Sequence, residues 1–138
     1  MCETDYEYCH YVFSTRDRAP VFGSPELEDA LREIICRVAI EKGFDLEELA
    51  VMPDHVHLLI RRKLTDSHTY IMKSIKGISA RRLFEFEPDL KYDLRADRLW
   101  ARGYYVRPVP LDKVNIARRY IQNQKLALYG SNDALYDG

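Results

Sequence analysis

Phe44-Asp45-Leu46-Glu47-Glu48-Leu49-Ala50-Val51-Met52-Pro53-Asp54-His55-Val56-His57-Leu58-Leu59-Ile60-Arg61-Arg62 decides the fold. Two stretches, Phe44 to Met52 and His55 to Arg62, favour extended backbone, and Pro53-Asp54 between them is a turn pair, so the segment predicts a β-hairpin. Upstream, Ser24 is a good N-cap, Pro25 suits the first helical position, and Leu27, Leu31, Ile34, Ile35 and Val38 repeat at helical spacing until Gly43. Before that helix, Tyr6 to Ser14 is aromatic and β-branched and reads as a strand. Downstream, Ser67 caps a second helix running to about Phe86, with Ile71, Ile75 and Leu83 inward. Gly77 inside it marks a bend, a close backbone approach, or simple tolerance. Pro88 to Arg102 reads as an irregular loop, Tyr104 to Val109 as a last strand, and Asp112 as the cap of a final helix through about Leu128. The predicted order is β-α-β-β-α-β plus one helix. This is an α+β, ferredoxin-like (split βαβ) antiparallel sheet, with helices on one face and an added C-terminal helix.

With 138 residues, 46% of them hydrophobic, the chain fits a single domain, its core at about residues 6–128 and a frayed tail at 129–138. It holds no run of 18 apolar residues and no signal-peptide pattern at its start, so a cytoplasmic protein without membrane association is expected. Cys2, Cys9 and Cys36 share no C-x-x-C spacing, which argues against a disulfide framework or a cysteine zinc site; they read as reduced thiols, two of them core filler. The net charge of -1 hides an asymmetry. Residues 1–60 carry 5 Lys/Arg against 13 Asp/Glu, and residues 61–138 carry 16 against 9, so a polyanion would meet the second part.

Alternation along His55-Val56-His57-Leu58-Leu59-Ile60 puts Val56, Leu58 and Ile60 on one face of the sheet and both histidines on the other. Such a pair can give two nitrogen ligands to one divalent ion, or it can be two solvated polar residues on an exposed strand. On the last helix Tyr120 and Gln124 are four residues apart, so a phenol oxygen and an amide oxygen share a face. A phenol attacks phosphorus only with help from a metal and from local positive charge, because its free pKa is near 10. Gln124 offers a neutral oxygen ligand, and Arg118 and Arg119 are candidates for phosphate contacts or for stabilising the phenolate. Tyr120 and Gln124 as ordinary interfacial residues is the alternative.

Four motifs make the case specific: Met52-Pro53-Asp54-His55-Val56-His57-Leu58-Leu59, Lys76-Gly77-Ile78-Ser79-Ala80-Arg81-Arg82, Leu99-Trp100-Ala101-Arg102-Gly103-Tyr104 and Arg119-Tyr120-Ile121-Gln122-Asn123-Gln124. Together they closely resemble the TnpA-type single-tyrosine HUH transposases of small bacterial and archaeal insertion sequences, over about Tyr8 to Leu126. REP-associated tyrosine transposases are near relatives of that family. The resemblance implies that His55 and His57 are metal ligands, that Gln124 completes the site and that Tyr120 attacks DNA. It also implies a homodimer acting on single-stranded DNA with hairpin ends, cleaved through a 5′-phosphotyrosine and rejoined without ATP. Mg²⁺ suits the phosphate and water oxygens, and two imidazoles also admit Mn²⁺.

No phosphate-binding Gly-rich motif is present, so no nucleotide cofactor is expected. Arg61, Arg62, Lys63, Lys73, Lys76, Arg81 and Arg82 are the candidates for the DNA backbone. Trp100 reads as core, Tyr104 and Tyr105 as possible stacking platforms, and His10 and His68 as structural or solvated. A binding-only nucleic-acid module would keep this fold and its basic helix, but the joint presence of His55, His57, Tyr120 and Gln124 argues against it.

Overall fold

A computed structural model describes residues 5–94 and 98–125. Its centre is strand β1 (Tyr6–Ser14), which alternates Cys9, Tyr11 and Phe13 against Tyr8, His10 and Val12. β1 pairs antiparallel with β3 (His55–Lys63) on one side, Tyr6 opposite Lys63 through Ser14 opposite His55, and with β4 (Tyr105–Val109) on the other. β2 (Asp45–Val51) completes the sheet beyond β3, giving the order β2-β3-β1-β4. This is the predicted antiparallel split-βαβ sheet.

Helix α1 (Pro25–Lys42) begins where the Leu27 amide donates to Ser24 Oγ at 3.4 Å and ends at Gly43, whose φ of 73° is the left-handed conformation that glycine takes without cost. Helix α2 (His68–Phe86) begins the same way, the Tyr70 amide donating to Ser67 Oγ at 3.0 Å. Both pack on one sheet face, where Leu31, Ile35, Val38, Ile71, Ile75 and Leu83 meet Cys9, Tyr11, Phe13, Val56, Leu58 and Ile60. A second, smaller core lies on the opposite face: Ala50, Leu59 and Val109 are covered by Val114 and Ile121 of helix α4 (Val114–Gln122). β3 is therefore buried on both sides, which explains why Leu58 and Leu59 are both fully buried although they point in opposite directions.

The expected loop from Pro88 to Arg102 contains a short helix, α3 (Asp89–Asp93), and Trp100 bridges to Thr15 beside the end of β1. Asp112 does not cap the last helix. It sits in a 3-10 turn, Leu111–Lys113, and Lys113 takes the N-cap position without a side-chain bond. The regular helix ends at Gln122, a turn follows at Asn123, and Gln124 and Lys125 are helical again; the rest of the expected stretch, from 126 to Leu128, and the tail at 129–138 lie outside the described residues, as does Cys2. Cys9 is the core filler expected, whereas Cys36 is exposed. A Cβ at Gly77 would meet nothing within 4 Å, so no close backbone approach requires this glycine.

Trp100 is core, as its sequence context implied. Its ring stands edge-on to Phe13 at 4.6 Å and its indole N–H donates to Ser79 Oγ at 3.1 Å. Trp100→Ala is expected to cost about 3–5 kcal/mol, the usual range for emptying an aromatic from a packed core, read as a lowered urea midpoint.

Candidate active site

On β3 the side chains of His55 and His57 emerge from the face that α4 covers, with ring centroids 5.0 Å apart and planes at 70°. Each ring is held through its Nδ1. His55 Nδ1 donates to Asp54 Oδ1 at 2.7 Å, and the other carboxylate oxygen of Asp54 accepts from Arg18 Nε at 2.9 Å. Burial raises the Asp54 pKa, yet the hydrogen bonds from His55 and Arg18 outweigh it and hold the carboxyl below its ordinary value. His57 Nδ1 lies 3.0 Å from Nε2 of His10, reached across β1. Burial, with His10 and His55 alongside, pushes His57 down to about 3, and burial, with Arg107 alongside, pushes His10 down to about 4. Both rings are neutral near pH 7 and offer lone pairs rather than charge. With Nδ1 engaged in both His55 and His57, Nε2 is the remaining ring nitrogen of each, and a pair of imidazole nitrogens fits a divalent cation by its donor chemistry.

Tyr120 is brought beside His57 by α4. Its ring lies edge-on to His57 at 5.9 Å and to His10 at 5.8 Å. The helix is fixed to its own chain: Arg118 donates to Glu47 at 3.0 Å and to Glu48 at 3.3 Å, Gln122 donates to Glu48 at 3.1 Å, and Lys125 pairs with Glu28 at 2.7 Å. Gln124 follows the break at Asn123 and is buried; its amide nitrogen donates to the Tyr120 carbonyl at 3.2 Å, a bond in which Oε1 takes no part.

Beside the histidines and Tyr120 opens a cleft of about 830 Å³ between β4 and α4, with Tyr105, Arg107 and Lys113 on its walls. Arg107 and Lys113 are exposed and line the cleft beside Tyr105, among the apolar side chains of Val12, Val109, Ile116 and Ala117. Sequence reasoning did not choose these two cations, nor His10. The signal was available: in an antiparallel sheet Val12 stands opposite His57 and Arg107 opposite His10, so the alternation that paired His55 with His57 also reaches His10 and Arg107.

The expected DNA contacts are scattered. Arg62 turns under the opposite face, donating to Glu7 at 2.7 Å and to the Asp66 carbonyl at 2.8 Å. Arg61 stacks over Tyr6 at 3.8 Å, Arg82 pairs with Glu41, and Lys76 ties down the carbonyls of Ala101 and Gly103 at 2.9 and 2.6 Å. Lys63, Lys73 and Arg81 are exposed, but α2 carries the latter two across the sheet from the histidines. Arg118 anchors α4, and Arg119 stands exposed next to Tyr120.

Glu7, Cys9 and His68 form another grouping with ligand spacing, their donor atoms within 4.8 Å of one another. Its chemistry suits a cation poorly. The Arg62 guanidinium already neutralises Glu7, and burial and the neighbouring Glu7 push the Cys9 thiol up to about 11, so it keeps the proton that it donates to Glu7. His68 Nδ1 is itself 2.8 Å from the Tyr11 hydroxyl.

A profile of the IS200-like transposases matches residues 4–124. The ISDra2 transposase TnpA of Deinococcus radiodurans is 34% identical over 115 residues, 83% of this chain and 81% of that protein. The transposase for insertion sequence element IS200 of Salmonella typhimurium is 31% identical over 115 residues, 83% of this chain and 74% of that protein. A crystal structure of a transposase from Deinococcus radiodurans superposes with a TM-score of 0.71 at 34% identity, covering 86% of this chain and 91% of that one. A REP-associated tyrosine transposase bound to a REP hairpin shares the fold at 14% identity, with a TM-score of 0.63 over 88% of this chain and 67% of that one.

Proposed function

The chain belongs to the IS200-like transposase family, and from that premise we propose that it cuts and rejoins single-stranded DNA with Tyr120 as nucleophile beside a divalent metal ion held by His55, His57 and Gln124. The observation that carries this reading is the convergence, on one sheet face, of the Tyr120 ring with His57, which stands beside His55, at the edge of a cleft with Arg107 and Lys113 on its walls.

The strand lies along the cleft with its phosphates against Arg107 and Lys113 and a base against Tyr105. Confined there, the scissile phosphate is in line with the Tyr120 hydroxyl, and the entropic cost of alignment is met by binding. A bound Mg²⁺ or Mn²⁺ supplies Lewis-acid stabilisation of the charge that gathers on the phosphate. Tyr120 Oη forms its bond to phosphorus as the bond from phosphorus to O3′ breaks; the phenol proton is lost and the departing O3′ takes one up as a 3′-hydroxyl. A second 3′-hydroxyl then attacks the phosphotyrosine and releases Tyr120, and because the phosphodiester energy is kept in the link, no ATP is required. Hairpin recognition by a homodimer follows the family resemblance and the hairpin bound by the REP-associated neighbour. Lys63, Lys73 and Arg81, exposed away from the cleft, are the residues of this chain offered to a folded DNA end.

The test is incubation of end-labelled single-stranded element ends with the protein and Mg²⁺. A 3′-end label that stays with the protein through denaturation, and, after protease and nuclease digestion, a phosphotyrosine peptide containing Tyr120 are the expected results. Hairpin binding with no adduct under Mg²⁺ or Mn²⁺ would instead favour a binding-only module.

A further inference from the structure

We propose that His10 is a positioning residue for the metal site: its Nε2 accepts a hydrogen bond from His57 Nδ1 and thereby fixes the ring tautomer in which His57 presents Nε2 to the cation. This rests on the ligand assignment made above and extends it to a residue of another strand.

The argument is one of proton placement. A neutral imidazole has one N–H and one lone pair, and only the lone pair binds a metal. For His55 the choice is made by Asp54, since a carboxylate can only accept; the proton is therefore on His55 Nδ1 and the lone pair on Nε2. His57 has no carboxylate on its Nδ1. Its partner at 3.0 Å is the Nε2 of a second histidine, which can either accept or donate. If His10 donates, His57 carries its own proton on Nε2, aimed where a ligand atom is needed, and the site is lost. If His10 holds its proton on Nδ1, its Nε2 accepts, and His57 matches His55.

The geometry holds the two rings together, and only the second state leaves His57 a lone pair for a cation. His10 and His57 are both buried, their rings tilted by 30° with centroids 5.2 Å apart. β1 fixes the spacing through backbone pairing: Val12 lies opposite His57 and His10 opposite Leu59, one diagonal step from the ligand. The two ligand rings are thus oriented from different parts of the chain, His55 by Asp54 and Arg18, His57 by His10.

Two measurements test this. Mn²⁺ binding by the DNA-free protein, followed by the loss of the free-ion EPR signal, is compared among wild type, His10→Phe, His10→Gln and a His55→Ala, His57→Ala control. His10→Phe keeps the volume and removes the acceptor; it is expected to weaken Mn²⁺ binding about 10–100-fold, the usual cost of losing an orienting partner of a metal ligand. His10→Gln, whose carbonyl oxygen reaches the place of Nε2, restores most of the affinity, which a purely space-filling role would not predict. In parallel, long-range ¹H–¹⁵N correlation spectra of the metal-free wild type report the tautomer directly and do not depend on how the variants fold. His57 protonated on Nδ1 supports the proposal. His57 protonated on Nε2, or wild-type affinity in His10→Phe, overturns it while the ligand assignment stands. Wild-type affinity in the double-alanine control overturns the ligand assignment and the role of His10 with it.

Discussion

Tyr120→Phe is expected to abolish covalent adduct formation and strand transfer, by roughly four to six orders of magnitude on the scale of deleting an enzyme nucleophile, while DNA binding stays within about twofold. The separation follows from the geometry. Only the hydroxyl reaches for phosphorus, whereas the ring fills the space beside His57 and His10 and the helix is held by Val114, Ile121 and the pairing of Arg118 with Glu47 and Glu48. Phenylalanine keeps all of that. Mobility-shift titration against hairpin-bearing strands, with adduct formation on denaturing gels, gives both readouts from one preparation. Adducts that persist on the variant and map to Tyr104 or Tyr105 would dismiss Tyr120. Mixing Tyr120→Phe with His55→Ala, His57→Ala protein then asks which subunit's tyrosine is used: activity restored in the mixture means exchange between subunits, and its absence means that α4 serves the chain to which its ion pairs tie it.

Removing both imidazoles should silence cleavage by on the order of 10³-fold or more, at least the loss seen when one preorganised electrostatic group is deleted from an active site. Hairpin binding should survive. The same variant carries a second, chemically independent signature. His57 is held neutral in the folded state, down to about 3 from an ordinary value of 6.5, so as pH falls through that window the unfolded chain takes up a proton that the folded chain refuses. Wild-type stability therefore declines between about pH 6.5 and pH 3 on account of this ring. The double variant should show a flatter decline in urea midpoints over that range. A variant that cleaves normally removes the histidines from the mechanism, and one with an unchanged acid profile contradicts the burial of His57.

Periodicity was enough for most of the frame because the signals were local. Ser24, Gly43 and Ser67 mark helix ends by bonds made within three or four residues, and the alternation of β1 and β3 needs no partner to be read. What escaped was settled at a distance. Asp112 has the chemistry of an N-cap, but the 3-10 turn after Pro110 shifts the helix start by one residue, past its reach. Arg62 and Arg118 look from their neighbours like ordinary surface cations, and only the placement of Glu7, Glu47 and Glu48 on adjacent strands turns them into anchors. The site divides in the same way. His55 and His57 are legible because they are two residues apart on one strand, and the Tyr120 motif because its residues are neighbours along one stretch of chain. His10 belongs to the same cluster, yet forty-seven residues separate it from His57, and a lone histidine on a mostly apolar strand says nothing until the strands are set in register.

β1 lies between β3 and β4, so the earliest strand of the chain is the one on which both later strands must assemble. Pairings such as Tyr8 with Val109 span about a hundred residues, the kind of long-range closure that forms late and cooperatively in folding. Until it forms, His10 has no His57, the wall that carries Arg107 has nowhere to stand, and α4 lacks Val109 beneath it. A half-made or partly melted molecule consequently holds scattered histidines and a solvated phenol, with no competence to nick DNA. For an agent whose errors are written into a genome, the central position of its first strand acts as a safety interlock that arms the blade only after the handle is complete.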